Sequence, residues 1–196
     1  PKGFDEMAKT QGHQDVIAAI APRDYSTVED ILEQAESLGE APFLIVVNEL
    51  TDPQNLGSIL RTADGFGAHG VIIPLHRSCG ITPAVSKVSA GAAEYMKVAR
   101  VTNIAQTLER LKENGLWIMG ADSEGKDYYE TDLTGPIALV IGGEDKGLGK
   151  LVKDRCDLLV RIPMKGRISS LNAAVAAAIL GYDVLRQRNK KNGPKQ

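Results

Sequence analysis

Five consecutive apolar residues, Phe43-Leu44-Ile45-Val46-Val47, leave this chain no polar face at that point. A run of that length and β-branched character is a strand covered on both sides, the situation of a parallel sheet between helices. Pro42 opens the run and Asn48 closes it. The pattern returns at Gly70-Val71-Ile72-Ile73-Pro74, Met96 to Val101, Leu116-Trp117-Ile118-Met119-Gly120, Pro136 to Ile141 and, shorter, Leu158 to Pro163. Segments of helical spacing lie between. The first runs through Val28, Ile31, Leu32, Ala35 and Leu38, with Ser26 or Thr27 as cap and Gly39 as stop. Others are Leu56, Ile59, Leu60 and Ala63, a short helix near Pro83 to Ala90, and Asn103 to Asn114. A last stripe joins Leu171, Val175, Ala178, Ile179, Tyr182 and Leu185, with Ser169 or Ser170 available as cap. Strand, helix, strand in alternation predicts an α/β fold, a three-layer parallel sheet.

With 196 residues, 43% of them hydrophobic, the chain can bury one substantial core. No apolar run reaches the roughly 18 to 20 residues that span a bilayer, and no secretory leader opens the chain, which predicts a soluble, cytoplasmic protein. The opening residues, Pro1 to Asp15, are polar and aperiodic and read as a linker or a cut end. Cys79 and Cys156 stand far apart, outside any ligand spacing, and read as reduced, packed thiols. His13, His69 and His76 lack a partner at ligand spacing, so no metal site and no Ser/His/Asp arrangement is indicated. The net charge of -2 hides an asymmetry: Lys146 to Gln196 holds 12 Lys/Arg against 3 Asp/Glu, residues 1 to 145 the reverse, 11 against 22. The basic end is where an anion would dock, although the same charges can merely solvate helix faces and a frayed tail.

Ligands in open α/β sheets bind beyond the carboxyl ends of the strands, and three unusual segments fall there. In the first, Asn55-Leu56-Gly57-Ser58-Ile59-Leu60-Arg61 sets an amide near a helix start, a glycine that permits close approach, and an arginine able to fork onto a phosphate or hydroxyl. The same arginine can pair with Asp64 or Asp52 on the surface. The second, Gly142 to Gly149, is glycine-rich, but it lacks the P-loop spacing and its Glu144-Asp145 would repel a triphosphate. The third leads from Ile162-Pro163-Met164 through Lys165-Gly166-Arg167 to Ser169-Ser170-Leu171-Asn172, whose polar residues are also ordinary helix caps.

In this order the three segments resemble the signature motifs of the SpoU/TrmH family within the knotted SPOUT RNA methyltransferases. The third continues through Ala173-Ala174-Val175-Ala176, and the likeness runs from about Phe43 to Arg188. It is strongest to the branch that methylates guanosine in large-subunit ribosomal RNA, and includes a leader around Gly12-His13-Gln14. The resemblance implies a C-terminal deep trefoil knot, which composition cannot predict. It implies residues 1–25 as a leader behind an N-terminal RNA-binding domain outside this sequence, a catalytic domain over 26–188, and a flexible basic tail over 189–196. It implies S-adenosyl-L-methionine as cofactor, held largely by backbone near Gly120, Ile141, Gly142, Ile162, Met164 and Leu171. Arg61 and Asn55 would then position the ribose hydroxyl or the adjoining phosphate, with Glu144, Ser170 and Asn172 completing the catalytic pocket. RNA is the implied partner, ribosomal before transfer RNA, without metal, and a homodimer is implied for which the Ala-rich face of the last helix (Ala173, Ala174, Ala176, Ala177) is the candidate interface. Packing against the sheet accounts for the same alanines. Two other readings stay open: a non-catalytic RNA-binding module of this fold, and a flavodoxin-like nucleotide-binding domain.

Overall fold

The computed structural model describes residues 24–143 and 147–193. Six strands form one parallel sheet: β1 (Phe43–Val47), β2 (Gly70–Pro74), β3 (Lys97–Val101), β4 (Trp117–Asp127), β5 (Ile137–Ile141) and β6 (Leu158–Arg161), in the order β3-β2-β1-β5-β4-β6. Successive residues of each strand point to opposite faces, and both faces are apolar. Leu44, Val46, Ile72, Ala138 and Val140 pack beneath α1 (Val28–Ser37), α5 (Ile104–Glu113) and α6 (Lys150–Lys153). Phe43, Ile45, Val47, Leu139 and Ile141 face the other way, against α2 (Pro53–Gly65), α3 (Pro83–Val88), α4 (Ala92–Tyr95) and α7 (Ala173–Asn192). The three-layer parallel sheet read from the sequence is therefore present.

Local chemistry sets the helix starts. Thr27 caps α1 through a reciprocal box: its hydroxyl accepts the Asp30 N–H at 3.1 Å and the Asp30 carboxylate accepts the Thr27 N–H at 2.7 Å. Ser26, the other candidate, instead donates its N–H to the Val98 carbonyl beside β3. α2 begins earlier than its apolar spacing indicated, because Asp52 accepts the Gln54 N–H and Pro53 supplies a first-turn φ.

Two domain edges differ from the sequence expectation. Tyr25 belongs to the folded unit and not to a leader: its hydroxyl accepts the Ile81 N–H at 2.8 Å and its ring lies under the Arg100 guanidinium. At the other end α7 runs on through Asn192, since Lys190 and Lys191 are good helix formers and Lys191 donates to Thr134. The rest of the expected leader, with Gly12-His13-Gln14, lies outside the described residues. Cys79 and Cys156 are both half-buried, and burial pushes Cys156 up to about 11, so it stays protonated at neutral pH.

Arg188 ties α7 to the sheet. Its guanidinium donates to the carbonyls of Ala41 (2.8 Å), Pro42 (3.1 Å) and Gly135 (2.7 Å), ahead of β1 and β5, and stacks over Phe43. Hydrogen bonds from a charged donor are worth about 1.5–3 kcal/mol each, but these share one group and one desolvation cost. Arg188→Met is expected to lose about 2–4 kcal/mol in urea unfolding, with the midpoint falling and the slope unchanged. An unchanged midpoint would show that the clamp contributes nothing net.

Candidate active site

At the carboxyl ends of β5 and β6, beside the middle of β4, the chain forms an open cavity of about 700 Å³. That volume falls within the roughly 300–1,000 Å³ usual for small-molecule sites. Its walls are three segments: Ala121 to Ser123, Ile141 to Gly143 with Gly147, and the stretch from Val160 through Ile162 and Met164 to Ala173. The first residues of α7 close it, with Ala176 and Leu180 at its base.

Glycines make the second wall possible. A Cβ on Gly142 would lie 2.3 Å from the Gly147 carbonyl carbon, and one on Gly143 would lie 2.5 Å from the Glu49 carbonyl oxygen. Gly143 and Gly147 then exchange two backbone hydrogen bonds of 3.2 Å, with Gly147 in the left-handed region at φ 60°, so the loop closes on itself. Residues 144–146, including Glu144, lie outside the described residues.

The third wall ends in a polar knuckle. Asn172, not Ser169 or Ser170, caps α7: its carbonyl oxygen accepts the N–H groups of Ala174 (2.9 Å) and Val175 (3.2 Å). That fixes the amide orientation, so its Nδ2 faces the buried Asn55 and donates to Asn55 Oδ1 at 2.8 Å. One side chain thereby caps the last helix and joins the start of α2 to the third wall, across 117 positions of sequence. Ser169 and Ser170 remain free of the cap and line the cavity.

Of the residues singled out from sequence, Ile141, Gly142, Ile162, Met164, Ser170, Leu171 and Asn172 line the cavity. Asn55 reaches it through Asn172. Gly120 stands one residue short: its missing Cβ makes room for Leu148, Cys156 and Leu159 on the opposite face. Gly57 likewise serves packing, since a Cβ there would lie 2.6 Å from Val88 of α3. Arg61 is exposed on α2, about 9 Å further along the helix axis than Asn55. Asp64 and Asp52 do not pair with it, and among the described residues it has no ion-pair partner.

Sequence reasoning passed over one side of the site. β4 does not stop at Gly120. Ala121 and Lys126 both sit opposite Val160, so Asp122 to Gly125 bulge out between them and bring Asp122 and Ser123 to the cavity. A Cβ on Gly125 would lie 2.4 Å from the Leu159 backbone, so this glycine permits the bulge. Lys153 of α6 lies 3.1 Å from Asp122 and 2.5 Å from Glu124, and these contacts, Glu124's first, raise its pKa. Arg161 also lines the cavity, held by Asp127, whose carboxyl the Tyr129 hydroxyl and then Arg161 keep below the usual range. The basic C-terminal quarter is thus partly neutralised within the fold, whereas Lys165 and Arg167, between the cavity-lining Met164 and Ser169, are exposed and have no ion pair among the described residues.

The alanines of α7 are mostly used internally. Ala173, Ala174 and Ala177 are buried in the core and Ala176 faces the cavity, which removes them as a subunit interface; Val175 and Tyr182 are the exposed apolar residues of that helix. Among the described residues there is no group of three or more His, Cys, Asp or Glu able to hold a metal, and no helix long and apolar enough to cross a membrane.

Comparison with known proteins bears on what such a cavity does. The SpoU rRNA Methylase family profile matches residues 42–182. YacO of Bacillus subtilis, whose name assigns it to the TrmH family of tRNA/rRNA methyltransferases, is 50% identical over 96% of this chain and 76% of its own length. The 23S rRNA (guanosine-2'-O-)-methyltransferase RlmB of Pseudomonas syringae is 44% identical over 93% of this chain and 73% of its own. Among solved structures, the SpoU methyltransferase AviRb of Streptomyces viridochromogenes, in complex with the cofactor AdoMet, superposes with a TM-score of 0.72 at 34% identity, over 76% of this chain and 58% of that one. The AdoMet-bound rRNA methyltransferase of Sinorhizobium meliloti gives 0.75 at 29% identity, over 84% and 61%. The chain spans about three fifths of the length of these solved proteins. On the family profile and these identities, the chain belongs to the SpoU rRNA methylase family, a family of RNA methyltransferases.

Proposed function

We propose that this chain transfers a methyl group from S-adenosylmethionine to a ribose 2'-hydroxyl of RNA, with a guanosine of large-subunit ribosomal RNA as the target. The observation that carries the reading is the convergence of three segments on one cavity, with Asn172 joined to Asn55. The lining suits the cofactor: an apolar floor of Ile162, Met164, Leu171 and Leu180 for the adenine, backbone of Ile141 and Gly142 for its edge, and polar Asp122, Ser123 and Ser170 elsewhere. S-adenosylmethionine, when bound, supplies the electrophilic methyl group.

The acceptor needs help from the protein, because a ribose hydroxyl is a weak nucleophile that must lose its proton as it reacts. Arg61 carries a permanent charge on an exposed helix face, where RNA can reach it. It holds the ribose oxygen or the next phosphate and offsets negative charge as the proton departs to phosphate or water. Asn55, fixed by Asn172, orients the same sugar, and Ser170 and Glu144 complete the pocket. Guanosine in ribosomal RNA is supported by the likeness to RlmB, and the exposed Lys165 and Arg167 offer the backbone a basic rim.

The resemblance also supports a deep trefoil knot. Residues 162–172 leave β6 at the sheet edge and return so that α7 packs on α2 and β5. A homodimer would use the exposed Val175 and Tyr182 of α7.

Incubating the chain with tritiated S-adenosylmethionine and unmodified total RNA tests the function. Label is expected in large-subunit ribosomal RNA, in an alkali-resistant dinucleotide containing 2'-O-methylguanosine. Label in transfer RNA alone would move the substrate. Cofactor binding without any transfer would favour the non-catalytic module.

A further inference from the structure

Asp122 and Ser123 of the bulge have so far only a place in the polar lining, and Lys153 has none. Yet they place a carboxylate at the cavity wall and brace it from the element that follows the second loop. Asp122 is the less exposed member of the group, its side chain only 13% accessible. One of its oxygens accepts the Glu124 N–H at 3.0 Å, and the other lies 3.1 Å from the Lys153 ammonium. A carboxylate offers about four lone-pair positions, so each oxygen keeps one further acceptor direction. Two acceptors side by side match the two donors of a vicinal diol, the pairing by which acidic residues commonly read a ribose. A ligand ammonium fits the spot less well, because it would sit beside the Lys153 ammonium.

Resting on the cofactor reading above, we propose that Asp122 accepts the two ribose hydroxyls of the cofactor and that Lys153 is the positioning residue that holds it there. The brace acts at both ends. Lys153 follows the loop of Gly142 to Gly149, so its contact with Asp122 links the first wall of the cavity to the second. Ser123 beside it gives the same end of the cavity a second hydroxyl-binding group.

The experiment is calorimetric titration of the full chain with S-adenosylhomocysteine, with its 2'-deoxy and 3'-deoxy analogues, and with 5'-methylthioadenosine. The unaltered chain is expected to prefer the intact ribose roughly ten-fold or more over each deoxy analogue, the scale of a hydrogen bond to a charged acceptor. Asp122→Asn, which retains the shape and the turn, should erase that preference. Lys153→Met should erode it, and Lys153→Arg should restore it. The Asp122→Asn loss should be as large with 5'-methylthioadenosine, which keeps the diol and lacks the amino acid. If the loss disappears with that ligand, the carboxylate takes the ligand's ammonium and the assignment fails. Equal weakening of the intact and the deoxy ligands, or a preference that survives Asp122→Asn, likewise overturns it while leaving the cofactor reading intact. No binding by the unaltered chain would sink the cofactor reading and this assignment together.

Discussion

Replacement of Arg61 by alanine is expected to lower methyl transfer by about two to three orders of magnitude, the usual cost of removing a group that stabilises developing oxyanion charge. Affinity for S-adenosylmethionine should stay within a few-fold, because Arg61 lines no part of the cavity. Stability should change by no more than about 0.5 kcal/mol, as for most exposed side chains without partners. Single-turnover transfer together with cofactor titration separates these quantities. Arg61→Lys should recover little, since an ammonium cannot fork onto two oxygens as a guanidinium does. Unimpaired turnover by the alanine variant would remove Arg61 from the reaction, and loss of cofactor binding would give it a different task.

Gly142→Ala is expected to act on the opposite half of the chemistry. The added methyl would lie 2.3 Å from the Gly147 carbonyl carbon and 2.6 Å from the Leu148 nitrogen, and both are backbone atoms that cannot turn aside. The demand is for space, because the φ of Gly142 is not in the left-handed region. Overpacking of this kind costs about 1–3 kcal/mol, which displaces the loop that forms one cavity wall and lowers cofactor affinity roughly ten- to a hundred-fold. Gly149→Ala, with nothing within 4 Å of the new methyl, is the matched control and should bind normally. Equal affinity in the two variants would mean that the close approach at Gly142 is dispensable.

The strands were legible because burial on both faces leaves an unbroken apolar run, as in Phe43–Val47 and Ile137–Ile141. The helix of Val28–Ser37 was legible because its cap is local, with Thr27 and Asp30 three residues apart. What escaped depends on distant partners. β4 extends past Gly120 only because Gly125 lets polar residues loop out beside β6, and no periodicity marks that. Ser169 and Ser170 have the composition of a cap, yet the helix starts at Ala173, so Asn172 takes the cap and its remaining amide N–H reaches the distant Asn55. The alanines of α7 left two readings open, a subunit contact or internal packing, and only the burial of Ala173, Ala174 and Ala177 in the core selects the second. In the site, two of the three walls were visible as glycine and polar interruptions at strand ends, Gly142 to Gly149 and Ile162 to Asn172, while the Asp122 wall was not. That Gly57 and Gly120 serve packing could be learned only from their neighbours.

The bond between Asn172 and Asn55 brings together residues from the two ends of the domain. Neither a growing chain that lacks α7 nor an isolated C-terminal piece can present the finished pocket, so occupancy by a ligand is coupled to completion of the whole fold. A ligand that favours the assembled form therefore stabilises the early helix α2 as much as the late one, and deep binding doubles as a seal on chain topology.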